Sequence, residues 1–171
     1  MQNTLSIEFF MVSAFGGLVG TYFMDLVAGY LRRWNISSGT SHEIIGRWFL
    51  YMLKGQFKHK SIANVASFSN EKYMGIFFHY IIAGIGIALL YPFFVSVLNV
   101  ESDISYVLLG AIFGILTNIF PWLWMMPSFG WGIAGIKKEP HSNSILAPFS
   151  THLAYGLGLG LTLFIYSKIG S

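Results

Sequence analysis

Tyr73 to Leu98, YMGIFFHYIIAGIGIALLYPFFVSVL, is the stretch that decides the fold. It contains no Asp, Glu, Lys or Arg, and its one imidazole is His79. A helix rises 1.5 Å per residue, so about 20 apolar residues cross a bilayer. This run is long enough. Three further stretches have the same character: 5–31, interrupted by Asp25, then 104–126, and 145–166, which contains His152. Backbone groups cannot stay unpaired in hydrocarbon, and nothing here alternates as a barrel strand does, so the spans are helices. The predicted fold is all-α: an integral-membrane four-helix bundle forming one membrane domain over residues 1–171, with spans at 5–31, 73–98, 104–126 and 145–166.

Composition agrees. Hydrophobic residues make up 54% of the 171 and charged residues 10%, against about 25% charged in an ordinary soluble domain. The absence of cysteine excludes disulfide scaffolds, thiol redox chemistry, iron–sulfur clusters and cysteine zinc sites. Sixteen Phe and the apolar content exclude disorder. The first span is not expected to be a removable leader, because Gln2 and Asn3 stand where a basic segment belongs and the run is too long.

Orientation follows from the basic residues. Arg32, Arg33, Arg47, Lys54, Lys58, Lys60 and Lys72 lie between the first two spans, and Lys137 and Lys138 between the last two. Lys168 is alone on the other side, where the short connection carries Glu101 and Asp103. The positive-inside rule puts both basic loops in the cytoplasm and both termini outside. The same asymmetry explains the net charge of +3 without any nucleic acid.

The first cytoplasmic loop, 32–72, has structure of its own. Thr40 followed by Glu43 is a capping-box pattern, and Ile44, Ile45, Trp48, Phe49 and Met52 recur at helical spacing. With Arg47 and Lys54 beside that face, it predicts an interfacial amphipathic helix, most simply a structural cap over the bundle. Lys58-His59-Lys60 is a basic cluster suited to anionic headgroups or to fixing topology.

Every span carries small residues four apart: Gly16/Gly20 and Gly17/Thr21, Gly84/Ala88, Gly110/Gly114, and Gly156/Gly160. Such ridges let helices approach closely where no hydrophobic force acts between them. A faint repeat relates the second and fourth spans, in which His79 and His152 each precede a Gly-rich run; so short a match is expected by coincidence.

Depth arithmetic isolates three ionisable groups. Asp25 lies seven residues before Arg32, His79 seven after Lys72, and His152 seven after Ile145, which puts each about 10 Å inside the cytoplasmic boundary. A charge there costs at least ~2.5 kcal/mol, so each is expected to face the bundle interior and find a partner. Asn118 lies near mid-membrane, and Pro121 and Pro127 are expected to kink or break the third span. Beyond them Gly130, Gly132 and Gly135 satisfy G-x-G-x-x-G, but no strand precedes them, so a nucleotide site does not follow. Loosened backbone here is expected to bring Ser128 to the level of Asp25 and the histidines.

A structural lock, in which Asp25, His79 and His152 simply tie helices together, competes evenly with a functional site. Three chemistries suit the latter. Two imidazoles and a carboxylate can hold Zn²⁺ or Fe²⁺, which would make Asp25, His79 and His152 the ligands of any metal. Ser128, a histidine and Asp25 have the residue types of a nucleophile triad. A proton or ion pathway needs only titratable groups in a polar cavity and asks least of the sequence.

Thr21-Tyr22-Phe23-Met24-Asp25-Leu26, Gly46-Arg47-Trp48, Gly55-Gln56-Phe57-Lys58-His59, His79-Tyr80, the run Pro127 to Gly135 and the run His152 to Leu159 occur in that order. In this ordered set the chain resembles, over nearly its whole length, a bacterial integral-membrane family catalogued only as a domain of unknown function. Trp131 and Tyr155 depart slightly from its pattern. The resemblance implies a bacterial inner-membrane protein and carries over no activity, substrate or cofactor.

The leading expectation is therefore a small transporter, channel or transport accessory with a polar cavity open to the cytoplasm. Asp25, His79 and His152, with Asn118 and Ser128, are its candidate ion- or ligand-binding residues, and Arg47 and His59 stand at its mouth. A membrane-embedded enzyme acting on a lipid or small hydrophobic substrate, and a structural or partner-binding subunit, remain as alternatives. No cofactor is called for. The expected partners are the lipid bilayer and further copies of the chain.

Overall fold

The computed structural model describes residues 4–98 and 104–169. Glu101 and Asp103, which carry part of the orientation argument, and Gln2 and Asn3 lie outside the described residues. Helix α1 runs Ile7–Arg33, α2 His42–Leu53 and α3 Glu71–Phe77. A π-helix, Phe78–Ile85, follows α3 directly and leads through α4 (Gly86–Ala88) to α5 (Tyr91–Val97). Then come α6 (Ser105–Leu116), a second π-helical turn at Pro121–Met125, α7 (Met126–Ser128) and α8 (His141–Ile169). Short 3₁₀ turns at Ile62–Asn64 and Ile133–Gly135 complete the chain, and no strand occurs among the described residues. Four helical segments are long and apolar enough to cross a membrane: Ile7–Arg33, Glu71–Val97, Ser105–Ser128 and His141–Ile169.

The chain forms two compact units. The first, residues 1–27, 80–117 and 150–171, contains part of every span. The small-residue ridges are its seams. A β-carbon on Gly17 would overlap the Gly84 carbonyl, one on Gly20 the Tyr155 carbonyl, and one on Gly110 the Gly156 carbonyl. Around these seams pack Phe9, Ala88, Tyr91, Val95, Tyr106, Phe113, Tyr155, Leu159 and Leu163. The buried phenols are satisfied by backbone: Tyr91 donates to the Tyr106 carbonyl and Tyr155 to the Gly84 carbonyl, both at 2.7 Å. The outer faces are apolar as well, with Met11, Phe15 and Leu108 all exposed. A bundle apolar within and without is written for hydrocarbon rather than water.

The second unit, residues 28–79 and 118–149, is built on α2 and α3. Ser41 caps α2, its hydroxyl accepting from the Ile44 N–H at 3.3 Å. This corrects the expected Thr40 cap. The cap belongs to the residue whose extended backbone (φ −91°, ψ 164°) immediately precedes the first helical turn, and Thr40 instead bonds the Ser38 hydroxyl. The apolar face of α2 is used inside the protein. Trp48 is fully buried, its ring 5.4 Å from Phe78, 5.2 Å from Trp124 and 5.7 Å from Phe129. Hydrogen bonds from its own backbone N–H and from Ser41 hold the Glu43 carboxyl below the usual range.

Candidate functional site

Helices α2 and α3 run antiparallel and meet through two glycines. A β-carbon on Gly46 would overlap the Glu71 carbonyl, and one on Gly75 the His42 carbonyl. His79 is one helical turn beyond Gly75, on the same side, so this approach sets its ring against that of His42. The ring centroids are 5.3 Å apart with the planes inclined at 56°, and both side chains are half-buried. His42 is the ligand-type residue that sequence reasoning missed. It lies in the long loop, where depth arithmetic has no purchase. The available signal was a mirrored spacing: His42-x-x-x-Gly46 and Gly75-x-x-x-His79.

On the other end of the same crossing, Arg47 and Glu71 form a two-pronged pair. Arg47 Nε donates to one carboxylate oxygen at 2.9 Å and Nη2 to the other at 2.8 Å, and Nη1 reaches the Ile62 and Ala63 carbonyls. The carboxylate raises the Arg47 pKa, keeping the guanidinium charged. Its charge is thus matched within the unit, and its geometry is that of a clamp on α3 and the 62–63 turn.

In the first unit Asp25 accepts a 2.7 Å hydrogen bond from the Tyr80 hydroxyl. Tyr80 directly follows His79 in the π-helix. π-helical turns are rare and concentrate at functional sites, because the extra residue re-aims side chains. His152 has Nδ1 2.7 Å from the Thr117 hydroxyl, which also donates to the Gly114 carbonyl at 2.6 Å. The third span leaves regular α-helix after Leu116 and is π-helical over Pro121–Met125.

Asn118 and Ser128 belong to the second unit and are buried. The Asn118 carbonyl accepts from Trp122 at 3.0 Å. The Ser128 carbonyl accepts from the His59 N–H at 2.8 Å, and the Phe129 carbonyl from Ile62 at 3.0 Å. The run after Pro127 is therefore the seat of the Lys58–Ile62 segment. Gly130, Gly132 and Gly135 all have left-handed backbone (φ +86°, +78° and +71°), and a β-carbon on Gly130 would overlap the Lys60 carbonyl. This turn geometry accounts for the G-x-G-x-x-G spacing. His59 is 7% exposed, and burial lowers its pKa.

No curated protein and no solved structure matches the chain. Residues 15–166 match the family described as Protein of unknown function (DUF2938), and the chain, matched over that much of its length, belongs to it.

Proposed function

We propose that this is a multi-pass protein of a bacterial inner membrane, both termini outside, that binds and passes a divalent transition-metal cation. His42 and His79 act as its nitrogen ligands. The observation that carries this reading is the His42–His79 ring pair, held by an approach of α2 and α3 that only glycine permits. Two imidazoles facing each other are donors suited to Zn²⁺ and its first-row neighbours. His152, bonded through Nδ1 to Thr117 in the first unit, is not among the ligands proposed. The orientation rests on charge: nine of the ten Lys and Arg residues, but three of the seven acids, lie in the second unit, which holds both basic loops.

Flux into vesicles tests it. Vesicles containing the reconstituted chain and a trapped zinc-sensitive dye are exposed to Zn²⁺. Wild type admits the ion, while His42→Gln and His79→Gln slow entry by about tenfold or more, the usual scale for loss of a ligand or its support. Wild-type vesicles no leakier than empty ones would reject transport. Equal flux in wild type and both variants would reject the site.

A further inference from the structure

We propose that the cleft lined by Lys58, Lys60 and Lys137 is a phosphate-binding site for the headgroup of an anionic phospholipid. The cleft, of about 480 Å³, lies wholly within the second unit and is lined by Lys58, His59, Lys60, Gly130, Ile133 and Lys137, among others. Three independent observations converge on it.

The first is which cations are already engaged. Arg47 is held by Glu71, Lys54 lies 4.5 Å over the Phe68 ring and Lys138 lies 4.3 Å over the Trp131 ring. Lys58, Lys60 and Lys137 are exposed and have no ion-pair partner among the described residues, and all three line this one cleft. Three unpaired ammonium groups around one concavity leave a positive field that an anion can neutralise.

The second is that the cleft is built. The Lys58–Ile62 segment is fastened to the turn after α7 by the His59–Ser128 and Ile62–Phe129 backbone bonds, and Gly130 is seated beneath the Lys60 carbonyl. The lysine backbones are thus held before any ligand arrives, which lowers the ordering cost of binding.

The third is His59, which lines the cleft although more than nine-tenths buried, and whose Nε2 has no hydrogen-bond partner among the described residues. Buried polar nitrogens ordinarily have one. A ligand oxygen can fill that role.

Phosphate oxygens suit this set as acceptors for all four nitrogen groups. A free phosphorylated metabolite would offer the same chemistry. The lipid is favoured because the turn that completes the cleft exposes two large apolar side chains, Ile133 at 63% and Ile136 at 64%. Beside a phosphate site these fit acyl chains.

The test uses the full chain in mild detergent, observed by native mass spectrometry with phosphatidylglycerol or phosphatidylcholine added. Two triple variants remove equal charge: Lys58→Gln/Lys60→Gln/Lys137→Gln from the cleft, and Arg32→Gln/Arg33→Gln/Lys72→Gln outside it. The expected result is retention of phosphatidylglycerol over phosphatidylcholine by wild type and by the outer variant. The cleft variant should lose about tenfold or more in affinity, as removing several basic contacts to an anionic headgroup implies. Equal losses in both variants, or no preference between the lipids, would overturn the proposal. A competition arm with inorganic phosphate separates the sources. Lysine-dependent binding of phosphate that displaces no lipid, with no phosphatidylglycerol retained, would overturn the lipid assignment.

Discussion

Gly75 lies so close to His42 that a β-carbon on the glycine would take the place of the histidine's carbonyl group. This backbone contact holds the two imidazoles of α2 and α3 together, so the site depends on a residue with no side chain. Gly75→Ala must push the helices apart or strain them. Overpacking of this kind costs about 1–3 kcal/mol. We expect a lower unfolding midpoint in detergent for Gly75→Ala and for Gly46→Ala, and none of that effect for Gly86→Ala, where a β-carbon meets nothing within 4 Å.

Arg47 and Glu71 test the same crossing electrostatically. Their side chains are 14% and 10% exposed. Removing one partner of a buried pair strands the other, at about 3–5 kcal/mol. Arg47→Met alone should therefore destabilise more than the double variant Arg47→Met/Glu71→Leu, which strands no charge. A double-mutant cycle on thermal unfolding measures this. Additive effects would show that the pair is not coupled.

The four spans were legible because hydropathy and length are local properties of the chain. So were the seams, whose glycines recur at fixed spacing. The eight-residue π-helix at Phe78–Ile85 was not, since an ordinary helical pattern runs through it and nothing local marks the extra residue. Depth arithmetic named His152 together with Asp25 and His79, but depth gives no direction around a helix and did not reveal the Thr117 hydroxyl 2.7 Å from the His152 Nδ1. Arg47 was expected at the cavity mouth; its bond to Glu71, 24 residues on at the start of a span, was not legible. The run after Pro127 was recognisable as a motif, yet its purpose lay in the Lys58–Ile62 segment, which only folding brings alongside it.

Tyr155 donates to the Gly84 carbonyl at 2.7 Å from a position 3% exposed. Tyr155→Phe keeps the packing and removes that bond. Interhelical hydrogen bonds in membranes contribute on average about 0.6 kcal/mol, so a modest loss of stability is expected. It should be well below that of Gly17→Ala, which collides with the same Gly84 carbonyl.

His59 supplies a pH dependence. Burial lowers its pKa, and Lys58, Lys60 and Lys137 line the same cleft. Gln56 is bonded to its Nδ1 at 3.4 Å and the Tyr51 ring lies 5.1 Å away; both are neutral. The unfolded chain, with an imidazole pKa near 6.5, takes up the proton first. The stabilisation from neutral His59 is thus complete above about pH 6.5 and is lost as pH falls toward the lowered native value. Unfolding midpoints should drop between about pH 7 and about pH 5 more steeply in wild type than in His59→Gln. The difference between the two isolates His59 from the other four histidines.

Metal stoichiometry decides whether His42 and His79 hold a cation. The full chain, incubated with Zn²⁺ in mild detergent and freed of excess, is weighed intact beside His42→Gln and His79→Gln. One zinc per wild-type chain, and its loss from each variant, is the expected result. A wild-type chain that emerges bare, or variants that keep the metal, would contradict it and leave these residues as ties between helices.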